Sequence, residues 1–343
     1  MNFESIARET VILDPNNQMA RKSITSEIRR DPLTGRTARI CHFMALKWEK
    51  PDFDKLVGGT EIWCPFCGDK VMKVTPCFPE ELVAEGRMVL DDKVLFPNIA
   101  PYDSLSAVAT LGAQHYIPMT RIEPQRIADA MRLAMNFFRR LHEMKHPESV
   151  YHLINWNYMP PSGSSLIHPH LQVFATAFAP NLMREELDAA KRYMESNGTN
   201  YWNDLVAAET NSGERFLAKI GRTHWFSAYA PMGVAGDVLA VVEDVGCTIA
   251  LTDEDLLDIA TGLTRAMAAY DKMGLYSFNV NFFTGAPGDE FARLHLVFSP
   301  RTFFNQTLGT PDIGALRNLY NETLCMAMPE EINRTLKPEF QSR

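Results

Sequence analysis

The 343-residue chain lacks any run of 18 or more apolar residues and any excess of positive charge. A bilayer-spanning helix needs about 20 consecutive apolar residues, so the sequence predicts no transmembrane segment. Its 42 acidic and 34 basic side chains give a net charge of -8, which argues against bulk attraction to nucleic acid or to an anionic membrane. A small anionic ligand would need a locally basic or dipolar pocket. The 46% of hydrophobic and 22% of charged residues are typical of a soluble globular enzyme.

The amino terminus also lacks the apolar core of a signal peptide, because Glu4, Arg8 and Glu9 interrupt its first residues. We therefore predict a cytoplasmic protein. The length of the chain leads us to expect two domains or one duplicated fold.

Six cysteines in a chain of this size do not make a disulfide framework. Cys64 and Cys67 differ from the others because they form a C-x-x-C knuckle in "CPFCG". In a reducing compartment this spacing suits tetrahedral zinc, with each thiolate about 2.3 Å from the metal. A redox pair and a chance spacing are the alternatives. The remaining four are scattered, and each is interpreted as a small buried hydrophobic residue: Cys41, Cys77, Cys247 and Cys325.

Two histidines separated by one proline stand in "SSLIHPHLQVFAT", residues 164–176. The flanking apolar residues predict a buried β-strand, and side chains alternate between the two faces of a strand. His168, His170 and Gln172 should therefore point the same way. Three polar groups on one face of an apolar strand need partners, which are either structural or chemical.

The order of predicted elements repeats along the chain. Residues 124–144 read as an amphipathic helix with proline at its first position, followed by the strand "YHLINWN" and the histidine strand. The second half has a helix that opens with a Thr252–Asp255 capping box and closes near Gly274, followed by the strands "YSFNVNFFTG" and "FARLHLVFSP". We predict an internal duplication.

A shift of 124 residues aligns the two halves without a gap, pairing Asn157 with Asn281 and Val173-Phe174 with Val297-Phe298. In this alignment His170 corresponds to Leu294, and His295 falls on the opposite face of its strand. The second half would keep the architecture and lack the paired histidines. We therefore expect one active centre per chain.

The motifs "RRDPLTGR", "CPFC", "FPN" (residues 96–98) and "NYMPPSGSSLIHPHLQ" occur in this order. Together they resemble the galactose-1-phosphate uridylyltransferase family, a branch of the histidine-triad superfamily, over residues 26–330. The resemblance implies an α+β fold, with a histidine-triad-like unit duplicated into two mostly antiparallel half-barrel sheets with packed helices. The implied organisation is an N-terminal arm (1–25), a first half with the knuckle and the histidines (26–180), a catalytically degenerate second half (181–330) and a C-terminal tail (331–343). A homodimer is expected.

The resemblance implies that His170 is the nucleophile, that Gln172 and Ser165 assist it, and that the substrate contacts are Asn157, Gly163 and Asn98. Attack of His170 on the α-phosphorus of a nucleotide would give a covalent nucleotidyl-imidazole. Histidine-triad hydrolases have a third histidine at the position of Gln172. Glutamine only donates and accepts hydrogen bonds, so it favours transfer to a second phosphate over hydrolysis.

For the metal, the resemblance implies zinc held by Cys64, Cys67 and His168. The family often places a fourth ligand where this chain has Thr120, and a threonine hydroxyl is a poor zinc ligand beside imidazole or thiolate. His115, five residues upstream, is the candidate that could replace it.

The predicted reaction moves a nucleoside monophosphate from a nucleoside diphosphate sugar to a sugar 1-phosphate or a related phosphorylated small molecule. A phosphorylase that uses inorganic phosphate, a histidine-triad hydrolase and a non-catalytic, zinc-stabilised nucleotide binder are the alternatives. Nucleic acid and membrane are not expected as partners.

Several positions depart from the family. An acidic residue that binds ribose is replaced by Ile99, and an arginine expected after His42 is replaced by Phe43. Some family members have a second, iron-type site. Glu186 and His295 match it here, whereas Thr284 and Val297 stand in place of histidines. We expect that second site to be empty.

Overall fold

The computed structural model describes residues 1–42, 48–310 and 312–341. The strands in these ranges are, in chain order, β1 (Ser5–Asp14), β2 (Ala20–Arg30), β3 (Thr37–Ile40), β4 (Met88–Leu90), β5 (Lys93–Pro97), β6 (Leu105–Thr110), β7 (Tyr151–Tyr158), β8 (His170–Thr176), β9 (Phe216–Ile220), β10 (Thr223–Ser227), β11 (Val238–Val242), β12 (Ser277–Phe283), β13 (His295–Arg301) and β14 (Leu324–Cys325). The helices are α1 (Phe53–Val57), α2 (Lys70–Val74), α3 (Pro124–Glu143), α4 (Asn181–Asn197), α5 (Tyr201–Ser212), α6 (Asp253–Lys272) and α7 (Pro329–Gln341).

Ten of the strands form one antiparallel sheet in the order β4-β5-β6-β8-β7-β12-β13-β11-β10-β9. Five consecutive strands of the sheet come from each half of the chain, and their order is mirrored about the β7–β12 pair. The predicted duplicated α+β architecture is confirmed. The two half sheets are joined edge to edge, so neither half has an unpaired inner edge.

Asparagine side chains reinforce the joint between the halves. Asn155 Nδ2 on β7 donates to Asn281 Oδ1 on β12 at 2.7 Å. Asn279 Nδ2 on β12 donates to Asn157 Oδ1 on β7 at 2.6 Å. These cross-strand amides lie on the face of the sheet opposite the apolar core, because the alternate residues of β7 and β12 are the buried ones.

Helices α3 and α6 are equivalent elements of the two halves, and they pack against each other. The apolar stripe predicted for α3 is confirmed, since its members are all fully buried: Ile127, Met131, Ala134, Met135, Phe138 and Leu141. The predicted capping box of α6 is also present, with Thr252 and Asp255 bonded reciprocally. No helix in the described ranges is long and apolar enough to cross a membrane.

The ungapped shift of 124 is wrong for the histidine strand. On β8 the core-facing residues are odd-numbered, as Leu171 and Val173 show, whereas on β13 Leu296 and Phe298 face the core. An even shift would turn one of these strands over, because a slip of one residue moves every side chain to the other face. A shift of 125 superposes the first residues of the two strands, so His295 is the counterpart of His170.

The first residues form a long β1–β2 hairpin that belongs to a second, four-stranded sheet, β1-β2-β3-β14. The predicted N-terminal arm, residues 1–25, lies in this hairpin, whose second strand continues to Arg30. Of the predicted tail, residues 331–343, the part up to Gln341 belongs to α7, where Ile332, Leu336 and Phe340 are buried, and residues 342–343 lie outside the described residues.

The cysteines outside the knuckle are less buried than predicted. Cys325 is buried, but Cys77 is exposed, and Cys41 and Cys247 are half-buried. Cys77 lies in the loop after α2, where it faces the backbone of Gly86 instead of the core.

A histidine within the core gives the stability of the fold a pH dependence. His152 on β7 is buried against Phe138 of α3, with ring centroids 4.9 Å apart. Burial, with a smaller contribution from His142, lowers the pKa of His152 to about 4. The unfolded chain would bind this proton near pH 6.5, so the stability is present above pH 6.5 and is lost as the pH falls towards 4.

We expect His152 to account for a loss of about 3 kcal/mol over that interval, at about 1.4 kcal/mol per unit of pKa difference. Urea unfolding of the wild type and of His152→Gln at pH 7, 5.5 and 4.5 measures this loss. The variant should show a shallower decline of unfolding free energy with acidity, whatever its stability at pH 7. His146→Gln, a change outside the core, should keep the wild-type slope. Parallel slopes for the wild type and His152→Gln would contradict the prediction.

Candidate functional site

Four metal-ligating side chains meet at one point of the first half. The ligand atoms of Cys64, Cys67, His115 and His168 all lie within 4.8 Å of one another. Cys67 Sγ is 3.1 Å from His115 Nδ1 and 3.5 Å from His168 Nδ1, and Cys64 Sγ is 3.7 Å from His168 Nδ1. Tetrahedral zinc with Zn–S near 2.3 Å and Zn–N near 2.0 Å separates sulfur and nitrogen by about 3.5 Å. The cluster therefore fits a tetrahedral metal.

Hydrogen bonds fix both imidazoles with Nδ1 towards the cluster. His168 Nε2 donates to the carbonyl oxygen of Gly112 at 2.7 Å. His115 Nε2 lies 2.8 Å from the hydroxyl of Thr60, whose own proton goes to the carbonyl oxygen of Val57. That hydroxyl must accept from His115 Nε2. Each ring consequently keeps an Nδ1 lone pair for a metal, and such outer partners set the tautomer of a ligating histidine.

The electrostatics of the cluster also favour a cation. Burial lowers the pKa of His168 to about 4 and lowers the pKa of His115, so both rings are neutral at pH 7. Burial, followed by the hydrogen bond from Cys64, raises the pKa of the Cys67 thiol to about 12. Two adjacent thiolates need a positive ion between them, which a divalent metal supplies.

His170 stands at the first position of β8, next to this cluster. Its Nδ1 donates to the carbonyl oxygen of His168 at 2.8 Å, which leaves the lone pair on Nε2. Among the described residues, Nε2 has no hydrogen-bond partner. The ring is 8% exposed and meets Phe66 of the knuckle edge-on, with centroids 5.4 Å apart. Four cavities lined by described residues lie elsewhere, and His170 borders none of them.

Burial lowers the pKa of His170, and its bond to the His168 carbonyl opposes this only in part. The imidazole is therefore neutral at pH 7. A neutral imidazole with Nδ1 bonded to a carbonyl presents Nε2 as a nucleophile.

Amide side chains cover the sheet beside His170. Gln172 lies two residues along β8, on the same face, and is paired with Asn155 of β7. Asn157 shares this face, and its Oδ1 accepts from Asn279. This leaves the Asn157 amide nitrogen available to donate to a ligand. The structure thus places Gln172 and Asn157 on the face that carries the histidine.

The turn before β8 holds two other predicted residues at the surface. Gly163 ends a short 3-10 helix, Pro160–Ser162, with φ of 88°, a left-handed conformation that favours glycine. Ser165 is exposed and makes no hydrogen bond with a described residue. Asn98 has a local role, because its Oδ1 accepts from the backbone of Ala100 and stabilises the turn after β5.

Two positions, 99 and 43, depart from the family pattern near the expected substrate site, and the structure describes the first of them. Ile99 is 82% exposed directly after Asn98, so its apolar side chain faces solvent where an acidic one was expected. Phe43 lies outside the described residues.

The second half repeats the geometry of His170 in altered surroundings. His295 Nδ1 lies 3.0 Å from the carbonyl oxygen of Arg293, two residues back, as in His170. Its Nε2 is 3.4 Å from Glu186 Oε2. The hydroxyl of Thr284 is occupied by backbone groups of residues 248 and 285, and Val297 has no ligand atom. Only two of the four positions of the iron-type site carry a metal-ligating side chain.

Several contributors were missed from the sequence. Thr60 and the Gly112 carbonyl orient the metal-ligating histidines, and Phe66 packs on His170. Nothing in the spacing of residues 60 and 112 points to those contacts. Asn155 and Asn279 could have been found, because asparagines alternate in both "YHLINWN" and "YSFNVNFF".

No family model matches the chain. Over 313 residues it is 30% identical to an uncharacterized protein of Archaeoglobus fulgidus, and the match covers 91% of each chain. The chain belongs to the same family as this archaeal protein. The sequence similarity between the two proteins therefore extends over nearly the whole length of each.

Solved structures identify the fold of the family. An ADP-glucose phosphorylase of Arabidopsis thaliana, solved with bound ADP-glucose, has a TM-score of 0.69 at 16% identity, covering 91% of this chain and 98% of its own. A galT-like protein of Arabidopsis thaliana gives 0.68 at 17% identity, with coverages of 91% and 98%. A uridylyltransferase gives 0.64 at 20% identity, with coverages of 92% and 98%. The fold implied by the resemblance to the galactose-1-phosphate uridylyltransferases, a duplicated histidine-triad unit, is confirmed.

Proposed function

We propose that the chain is a nucleotidyltransferase that transfers a nucleoside monophosphate from a nucleoside diphosphate sugar to a phosphorylated small-molecule acceptor through His170. The observation that carries the proposal is the bond from His170 Nδ1 to the His168 carbonyl oxygen. It fixes the tautomer in which Nε2 is the nucleophilic atom. The fold is that of a phosphorylase solved with ADP-glucose bound, which supports this donor class.

The reaction proceeds by two displacements at one phosphorus atom. Nε2 of His170 forms a bond to the α-phosphorus while the bond to the bridging oxygen breaks, and sugar 1-phosphate leaves with the electron pair. A phosphate oxygen of the acceptor then attacks the same phosphorus. The N–P bond breaks, and the neutral imidazole is restored. Amide donors from Gln172 and Asn157, with Ser165 and the backbone at Gly163, would stabilise charge on the phosphoryl oxygens.

Gln172 favours transfer over hydrolysis. A sugar phosphate leaves as a weakly basic anion, so its departure needs little protonation. Gln172 lies on the face of His170 and is half-buried, and its amide has no acidic proton to give. The acceptor is a sugar 1-phosphate in the transferase and inorganic phosphate in a phosphorylase. These two reactions share every step at His170.

We propose that the cluster of Cys64, Cys67, His115 and His168 holds a structural zinc ion. Two thiols and two neutral imidazoles are the donors that zinc prefers. Zinc would contribute folding energy and fix the knuckle. Phe66 lies between the two cysteines and packs on His170, so a fixed knuckle holds the nucleophile in place.

We also propose a cytoplasmic homodimer. All six cysteines are free, as in a reducing compartment. At the tip of the β1–β2 hairpin, Val11, Leu13 and Met19 are exposed apolar residues that a second copy could cover.

The covalent intermediate is the first test. Protein incubated with ADP-glucose labelled at the α-phosphate, and then with other nucleoside diphosphate sugars, should form an acid-labile nucleotidyl adduct. His170→Asn should form none. His224→Asn is the matched control, because His224 is also 8% exposed and lies on β10, far along the sheet.

The acceptor decides between the reaction classes. Sugar 1-phosphate or inorganic phosphate should discharge the adduct at least tenfold faster than water does. Discharge by water at the same rate would make the protein a hydrolase. An adduct that survives in His170→Asn, or no adduct with any nucleotide sugar, would refute the proposal.

Zinc content is the second test. Elemental analysis of purified protein should give one zinc ion per chain, and Cys64→Ser should lose it. Cys325→Ser is the control, since Cys325 is equally buried and lies outside the cluster. Thr60→Val removes only the hydroxyl that orients His115 and should weaken zinc affinity about 10- to 100-fold in a chelator competition. Unchanged zinc content in Cys64→Ser would remove the metal claim and leave the transferase proposal standing.

A further inference from the structure

A cavity of about 130 Å³ lies chiefly in the second half of the chain. It is bounded by β10, β13, α5 and the segment 31–38. We call it the second-half cavity. Small-molecule sites typically have volumes of about 300–1,000 Å³, so this cavity would suit only a small ligand, such as a nucleobase or a nucleoside. None of the catalytic or metal-ligating residues proposed above lines it.

The cavity occupies the position in the second half that corresponds to the neighbourhood of His170. In the first half, His170 on β8 is paired with Thr110 on β6. Val108, two residues before Thr110 on the same strand, is paired with Phe96 on β5. In the second half, His295 on β13 is paired with Val241 on β11 in the same way. Leu239, two residues before Val241, is paired with Phe226 on β10. Phe226 and His295 both line the cavity.

The segment after β10 therefore corresponds to the "FPN" segment after β5, with Tyr229 at the position of Ile99. These counterparts differ in burial, because Tyr229 is buried while Ile99 is exposed. The second half thus has a cavity at a place where the first half exposes an apolar side chain.

Polar atoms of the cavity lining lack partners. Ser227 Oγ, Tyr229 OH and Glu209 Oε2 are inaccessible to solvent and make no hydrogen bond with any described residue. All three residues are more than nine-tenths buried and line the cavity. An unsatisfied buried polar group costs about 1–3 kcal/mol. A molecule bound in the cavity could complete the hydrogen bonds of these three groups.

Aromatic rings form the walls of the cavity. Trp202 is stacked on His295, with centroids 3.9 Å apart and planes inclined by 28°. Tyr201 meets the edge of Trp202 at 5.2 Å. Flat aromatic walls select planar ligands, because stacked rings gain energy beyond the area that they bury.

Two arginine side chains hold the Tyr229 ring in position in the absence of a ligand. The guanidinium groups of Arg29 and Arg215 lie 4.8 and 5.0 Å from its centroid. Both arginines are bonded to Glu330, Arg29 through two bonds of 2.9 Å. The charge pairs lower the pKa of Glu330 to about 2, against the opposing effect of burial. These contacts satisfy both guanidinium groups, and neither arginine lines the cavity itself.

The acidic lining disfavours anionic ligands. Among the described residues that line the cavity, Arg36 is the one arginine or lysine. Five acidic side chains also line it: Asp31, Glu186, Glu209, Asp237 and Glu322. A phosphate group would be repelled here. A ring that carries amino or imino hydrogens would instead donate to the carboxylates.

We propose that the second-half cavity is a binding site for an amino-substituted heteroaromatic ring, a nucleobase or an unphosphorylated nucleoside, separate from the site at His170. The ring lies against Trp202 and the amino group donates to Glu209. The hydroxyl groups of Ser227 and Tyr229 bond its ring nitrogens or sugar. This site depends on the cavity alone and exists whether or not His170 forms an adduct.

Calorimetric titration of the full-length protein with adenine, adenosine and cytidine tests the site, and AMP is the anionic comparison. Adenosine should bind, and AMP should bind to this site at least tenfold more weakly. Tyr229→Phe and Ser227→Ala should each weaken adenosine binding at least fivefold. Because these hydroxyl groups have no partner among the described residues, neither variant should lower the thermal unfolding midpoint.

Two further variants distinguish this site from the site at His170 and from a general effect of losing a tyrosine hydroxyl. His170→Asn should bind adenosine as the wild type does. Tyr276→Phe loses a hydroxyl group that bonds Gln306 and should also bind normally. The proposal is overturned if none of the three uncharged ligands binds at millimolar concentration. It is also overturned if AMP binds to this cavity as tightly as adenosine, or if binding disappears in His170→Asn and persists in Tyr229→Phe.

Discussion

The carbonyl group of His168 joins the two chemical parts of the first half. Its oxygen accepts Nδ1–H of His170, while the side chain of the same residue enters the metal-ligating cluster. Movement of the knuckle would displace His168, and its carbonyl would then no longer define the tautomer of His170. Pro169 between them fixes one backbone dihedral angle and narrows the range of alternative conformations. The candidate metal cluster and the imidazole of His170 are thereby coupled through one residue.

The duplication shows which parts of this arrangement belong to the fold and which to the chemistry. His295 contacts the carbonyl oxygen two residues back, as His170 does, so this contact follows from the start of the strand. The surroundings differ: the ring of His295 is stacked between Trp202 and Phe283, and its Nε2 faces Glu186. The same backbone therefore supports the proposed nucleophile in one half and an aromatic wall in the other.

Sequence patterns predicted those elements that are determined by residues close together along the chain. The stripe of α3 and the cap of α6 are local, and the knuckle and histidines follow from spacing and resemblance. The sequence alignment of the two halves was wrong for the histidine strand because two short matches are compatible with a slip of one residue. The correct alignment follows from the cross-strand pairs Asn155–Gln172 and Asn281–Val297, which only the structure shows. His115 was identified as a candidate, but the role of Thr60 depends on how a loop folds. The second-half cavity combines residues from 3 to 323, and no local pattern contains it.

The face around His170 is lined by neutral amides, which suits an exchange of phosphates. Gln172 and Asn157 present amide groups without fixed charge, and Asn279 holds Asn157 in position. In the double displacement that we propose, an anionic phosphate leaves and another enters at the same place. Strong cationic binding would hold the first product and slow the exchange, since only interactions stronger in the transition state accelerate the reaction. Amide donors can follow the phosphoryl oxygens in both directions, so this surface suits the nearly symmetric reaction that we propose.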